Sequence, residues 1–207
     1  MTEREQSELT VLSATSVVQS IRRIQLLTVG WMTVEVLIAL YAAVISHSVA
    51  LAAFGADSAI ELFSASVVLW RFHRERAQAE ATAAKITGWL LIALAVFISC
   101  QSLYALFGKG PKPQPSFLGI ALLLAAGLFM PWLGHRKREL AAAANSVSLR
   151  ADATQSSVCA YMSWIALAGL GLSVLVHIPW ADPLAALALL PIAIREAKEA
   201  LQGKHCC

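Results

Sequence analysis

The chain has 207 residues, of which 58% are hydrophobic and only 14% charged, with a mean hydropathy of +0.66. A soluble domain carries about a quarter charged residues, so this composition cannot furnish a water-facing surface, and a single membrane domain is the expected organisation. The net charge of +3 includes no basic run with interleaved aromatics and no phosphate-cradling glycine loop, so neither nucleic acid nor nucleotide is an expected partner.

The first twenty residues are polar and mixed in charge, with Glu3, Arg4, Glu5 and Glu8. They lack the basic segment and short apolar core of a cleaved signal peptide, so residues 1–20 read as a cytoplasmic segment and the first span as the targeting signal. Six apolar blocks follow, at about Ile24–Ile45, Val49–Trp70, Ile86–Phe107, Phe117–Gly134, Ala151–Val176 and Pro183–Ile194. A cluster of Gly108, Gly110, Pro111, Pro113 and Pro115 breaks the chain after the third block. Arg71 to Arg76 and His135 to Arg138 close the second and fourth, and His177-Ile178-Pro179-Trp180 closes the fifth.

Asp182 before Pro183 is a good N-cap for the sixth helix. With only about twelve apolar residues, this helix crosses fully only if it continues through the amphipathic stretch from Arg195 to Gln202, its basic side chains snorkelling to the interface. A re-entrant or surface-lying segment is the alternative. Arg22, Arg23, the Arg71–Arg76 and Arg136–Arg138 segments and Arg195 gather on one side, against Lys109 and Lys112 on the other. The expected fold is therefore an all-α bundle of six transmembrane helices over residues 21–202, both termini cytoplasmic, with a Cys/His tail at 203–207.

The chemistry lies in the polar residues of these spans. Asp57 and Glu61 in the second are four apart and so share one helix face. Two carboxylates in hydrocarbon repel each other and cost several kcal/mol to keep ionised. No Lys or Arg falls inside the six apolar cores, which leaves a bound cation or shared protons as the compensation. Hard oxygen ligands suit a divalent metal. The plainer alternative places Asp57 near the membrane surface, bonded to Ser58 or Ser64.

On the fifth span Asp152, Gln155 or Ser156, and Cys159 share a face. Asp152 also reads as a helix-start cap or a partner for Arg150. Cys159 is either a small buried hydrophobe or a thiolate ligand for zinc or a softer metal. Glu35, deep in the first span, could complete a metal site, relay protons or sit protonated in the bundle. His47 and His177, at outer span ends, read as interfacial residues. The tail carries His205, Cys206 and Cys207, three metal-capable side chains or simply a disordered end. Of the four cysteines Cys100 and Cys159 lie within spans and Cys206 and Cys207 are adjacent, so no disulfide framework is expected.

The segment Ser48-Val49-Ala50-Leu51-Ala52-Ala53-Phe54-Gly55-Ala56-Asp57-Ser58-Ala59-Ile60-Glu61 resembles the second span of cation diffusion facilitator (cation efflux) proteins. There an acid, and a second acid or histidine four residues away, bind the transported metal. Ala151-Asp152-Ala153-Thr154-Gln155 resembles the fifth-span segment, where a histidine and an aspartate four later supply the other ligands; here Gln155 and Cys159 stand at those positions. Trp180-Ala181-Asp182-Pro183 is similar to the link into the sixth span, and Lys85-Ile86-Thr87-Gly88-Trp89 to the third-span entry. The likeness runs over about residues 20 to 202 and is strongest to short bacterial members without the cytoplasmic metal-binding domain.

The resemblance implies a homodimer in a bacterial inner membrane that exports a divalent metal, zinc foremost, as substrate and with no prosthetic group. Asp57, Glu61, Gln155 and Cys159 would be the site, with Glu35 and Asp152 accessory or relaying protons. Because carboxylates and a thiol must shed protons to bind metal, proton antiport is the expected coupling. A non-transporting metal sensor or assembly partner that kept the fold is the alternative. An enzyme is not expected, since no nucleophile-and-base pair or His-Glu-x-x-His signature occurs.

Overall fold

A computed structural model of the chain describes residues 3–71, 77–108, 114–144 and 147–202. The tail residues His205, Cys206 and Cys207 lie outside these, as do Lys109, Lys112 and the segment from residue 72 to 76. The described residues form six α-helices: α1 Glu3–Ser46, α2 Val49–Arg71, α3 Ala77–Leu106, α4 Phe117–Ala143, α5 Val147–Leu175 and α6 Ala181–Leu201. Each contains one of the expected apolar blocks. Four extend well beyond their block: α1 starts at Glu3, α3 starts at Ala77, α4 continues two turns past Gly134, and α6 runs through the charged stretch to Leu201. Backbone hydrogen bonding inside a helix is indifferent to side-chain polarity, so an apolar block marks the buried part of a helix and not its ends.

The helices pack as a closed ring in the order α1, α2, α3, α6, α5, α4, and α2 also reaches across the ring to α5 and α6. The second and fifth helices thus meet in the interior. Small residues permit the close approaches, as they must between helices with no water to expel from their interface. A Cβ on Gly169 of α5 would sit 2.1 Å from that of Ala185 on α6, and one on Gly55 of α2 would fall 2.9 Å from Ala39 Cβ on α1.

Outward faces are apolar: Phe117, Leu175 and Val44 are 84%, 76% and 73% exposed. An apolar exterior of this kind is what lipid covers. Four stretches among the described residues are long and apolar enough to cross a membrane: Val17–Ser46, Gly88–Leu106, Phe117–Ala143 and Asp152–Leu175.

Tight turns are closed by named contacts. His47 and His177 take left-handed backbone (φ 51° and 58°) in the turns after α1 and α5, and both side chains are exposed. Ser116 caps α4, its hydroxyl accepting from the Gly119 N–H at 3.1 Å. Asp182 departs from expectation. It lies inside the first turn of α6, and its carboxylate serves the start of α2, accepting from Ser48 Oγ at 2.5 Å, Val49 N at 2.8 Å and Ala50 N at 3.4 Å. The unpaired N–H groups and positive dipole end of a helix attract whichever carboxylate is nearest, here one supplied from across the bundle. Ser48 adds its own cap, accepting from Leu51 N at 3.0 Å.

Truncation of this carboxylate would strand buried donors. Asp182→Ala is expected to lower unfolding stability in detergent by about 2 kcal/mol, read as a fall in the thermal midpoint. An unchanged midpoint would show that the cap contributes nothing.

Candidate functional site

Asp57, Ser58 and Glu61 lie on the buried face of α2, with exposures of 2%, 0% and 0%. Cys159 of α5 and Glu35 of α1 are buried against the same region, Cys159 within electrostatic reach of Glu35, Glu61 and Asp57. The carboxylate pair therefore sits deep in the bundle and not at its surface, and Ser58 bonds elsewhere than to Asp57. Asp57 Oδ1 and Glu61 Oε2 have no hydrogen-bond partner among the described residues. A buried carboxylate oxygen without a donor is costly, and structures that retain one keep it for a ligand, a proton or a redox role.

Glu35 is placed differently. Its Oε1 accepts from Ser58 Oγ at 2.7 Å and from the Cys159 thiol at 3.6 Å, and its Oε2 accepts from Trp31 Nε1 at 2.6 Å. Both oxygens are satisfied, so Glu35 joins α1, α2 and α5 and fixes the direction of the thiol. Gln155 is half-buried on α5, whereas its neighbour Ser156 is fully buried and donates to Glu61 Oε1 at 3.4 Å. Ser156, of the two alternatives on that turn, is the residue in contact with the carboxylate pair.

Asp152 neither caps α5 nor pairs with Arg150. It forms an ion pair with Lys137 of α4, Nζ to Oδ2 2.8 Å, and accepts from Gln25 Nε2 of α1 at 2.8 Å on the same oxygen. Lys137 is wholly buried and also donates to Ser156 Oγ at 2.9 Å. No Lys or Arg lies within the six apolar blocks, but the elimination of a basic partner that followed from this is corrected. The fourth apolar block ends at Gly134, but α4 continues, and Lys137 follows Met130, Leu133 and Gly134 on the buried stripe of that helix. Gly134, where a Cβ would fall 3.1 Å from the Ala153 carbonyl, lets α4 approach α5 closely enough for the lysine to reach Asp152. The i, i+3, i+4, i+7 spacing of Met130, Leu133, Gly134 and Lys137 is the signal that sequence reading could have used.

A second missed residue is Glu196 of α6. Its Oε2 is buried and unpartnered among the described residues, and it lies near enough to Asp57 and Glu61 for their charges to repel it. It follows Leu189 and Ala193 on the buried stripe of α6, within a stretch whose charged composition masks the pattern.

The polar interior thus draws on five helices: Gln25 and Glu35 from α1, Asp57 and Glu61 from α2, Lys137 from α4, Asp152, Ser156 and Cys159 from α5, and Glu196 from α6. Among the described residues no group of three or more His, Cys, Asp or Glu side chains is arranged to hold a metal ion. The arrangement is an acidic, partly unsatisfied centre beside a buried ion pair. Chemically, it can take up positive charge.

No curated protein matches the chain. A family model described as the cation efflux transmembrane domain matches residues 26–201, which takes in nearly all of α1 from its apolar block onward and every helix after it. Helices apolar enough to span a bilayer, an acidic interior and a match over most of the chain agree, and the chain belongs to the cation efflux family of membrane cation transporters.

Proposed function

We propose that this protein exports a divalent metal, with zinc the leading substrate, from the cytoplasm in exchange for protons. The observation that carries the proposal is the pair of unpartnered carboxylate oxygens, Asp57 Oδ1 and Glu61 Oε2, buried on the central helix beside the Cys159 thiol. Asp57, Glu61 and Cys159 hold the ion, and Gln155 supplies a neutral donor once the half-buried amide turns inward. A carboxylate and a thiol give up protons to bind a metal. Reprotonation from the outer side then favours release, so the proton gradient drives export.

All six helices cross the bilayer in this proposal. α6 has 21 residues, a rise of about 31 Å, against a hydrocarbon core of about 30 Å. The grouping of Arg22, Arg23, Arg136, Arg138 and Arg195 supports, by the positive-inside rule, a topology with both termini in the cytoplasm of a bacterial inner membrane. A homodimer follows the family pattern, and the His205-Cys206-Cys207 segment gathers metal near the cytoplasmic mouth. A metal sensor that retained the fold would bind the ion without moving it, and the same transport assay separates the two.

In proteoliposomes under an imposed pH gradient, the wild-type chain should accumulate zinc. The Asp57→Asn, Glu61→Gln double variant should reduce the flux by about 100-fold or more, since even changes behind the direct ligands cost about 10- to 100-fold in metal affinity. Undiminished flux would remove these residues from the site; stoichiometric binding without flux in the wild type would favour the sensor. Cys159→Ser should weaken cadmium transport by about tenfold while leaving manganese little changed, because soft thiolate discriminates between them and hydroxyl does not. Equal effects on both metals would contradict thiolate ligation.

A further inference from the structure

Lys137 presents a problem that the proposed site does not solve. A buried lysine costs several kcal/mol to desolvate, and replacing such an ion pair by apolar residues is often neutral or stabilising. Packing alone therefore gives no reason for it. Its geometry does. The ammonium is 2.8 Å from Asp152 Oδ2 and 2.9 Å from Ser156 Oγ, and that same hydroxyl is 3.4 Å from Glu61 Oε1. Gln25 donates to the Asp152 oxygen that holds the lysine, which fixes the carboxylate in place. One hydroxyl thus separates a tethered cation from one of the two proposed metal-binding carboxylates.

We propose that Lys137 is a resident counter-cation of the transport site, which Asp152 restrains one hydroxyl away from Glu61. Once the site has shed its protons and before a metal arrives, its charge offsets that of Glu61 and lets the ionised carboxylate persist in a low-dielectric interior. When a divalent ion binds, the same fixed charge opposes it and keeps affinity low enough for release. The Lys137–Asp152 pair is neutral overall, and its positive end is turned toward Glu61 through the Ser156 hydroxyl. Asp152 sets how far that charge reaches. This inference rests on the metal site proposed above, with Lys137 a positioning and affinity-setting residue that does not touch the metal.

The prediction is one of opposite signs. Zinc and cadmium affinities are measured by isothermal titration on detergent-purified full-length chain, with size-exclusion profiles confirming that each variant is folded. Lys137→Met should tighten binding by about a hundredfold or more, the order expected on removing one charge several ångströms from a divalent ion at an effective dielectric of about 20, and should slow turnover in proteoliposomes. Asp152→Asn frees the ammonium to turn to Glu61 and should weaken binding by about tenfold.

The Lys137→Met, Asp152→Asn double variant, which strands neither partner of the ion pair, should bind at least as tightly as the wild type and so show that the weakening acts through the lysine. A purely structural pair would weaken binding in both single variants, and that result, or no change in either, would overturn the role of Lys137. Should Lys137→Met fail to fold, the double variant against Asp152→Asn decides: tighter binding supports the proposal and equal binding overturns it. Wild-type protein that binds neither metal would instead overturn the site itself.

Discussion

A carboxylate inside an apolar helix bundle must find a proton, a hydrogen-bond donor or a cation within a few ångströms, because the surroundings cannot screen it. This chain buries Glu35, Asp57, Glu61, Asp152 and Asp182 and meets the requirement differently at each. Asp182 is satisfied by the N-terminus of α2, Glu35 by Trp31, Ser58 and Cys159, and Asp152 by Lys137 and Gln25. Of these five, Asp57 and Glu61 retain oxygens without a partner among the described residues, and the half-buried Glu196 of α6 adds a third such oxygen. The satisfied acids hold α1, α2, α4, α5 and α6 in register, and the unsatisfied pair lies where α2 and α5 meet. Under the proposed site, structural and functional uses of acid are divided among residues that look alike in composition.

Much of the fold was legible because lipid imposes a simple rule: apolar blocks of sufficient length become helices. All six blocks correspond to helices, with α2 beginning at Val49 and α4 at Phe117 as read. The deep placement of Asp57 and Glu61 was legible for the related reason that acids are rare in such blocks unless they are used.

What escaped sequence reading lay at the ends of the blocks. His135-Arg136-Lys137-Arg138 reads as one basic surface cluster, yet helical periodicity turns Lys137 inward while Arg136 and Arg138 stay exposed. Asp182 was recognised as a capping residue, but the helix it caps begins 133 residues away in sequence, at Val49, and is adjacent only in the folded bundle. Tertiary partners of this kind leave no trace in local spacing. Gln155 and Ser156 show the same limit at finer scale: they share a turn, and only the packing of α5 on α2 and α4 selects the serine for contact with Glu61.

Ligation by Asp57, Glu61 and Cys159 is the central claim, and X-ray absorption at the zinc edge addresses it most directly. The sample is the full-length chain with Cys100, Cys206 and Cys207 replaced by serine, so that only Cys159 can contribute sulfur. The account predicts stoichiometric zinc with one sulfur at about 2.3 Å and oxygen or nitrogen donors at about 2.0 to 2.2 Å. A first shell of oxygen and nitrogen alone, or no stoichiometric zinc, would contradict it.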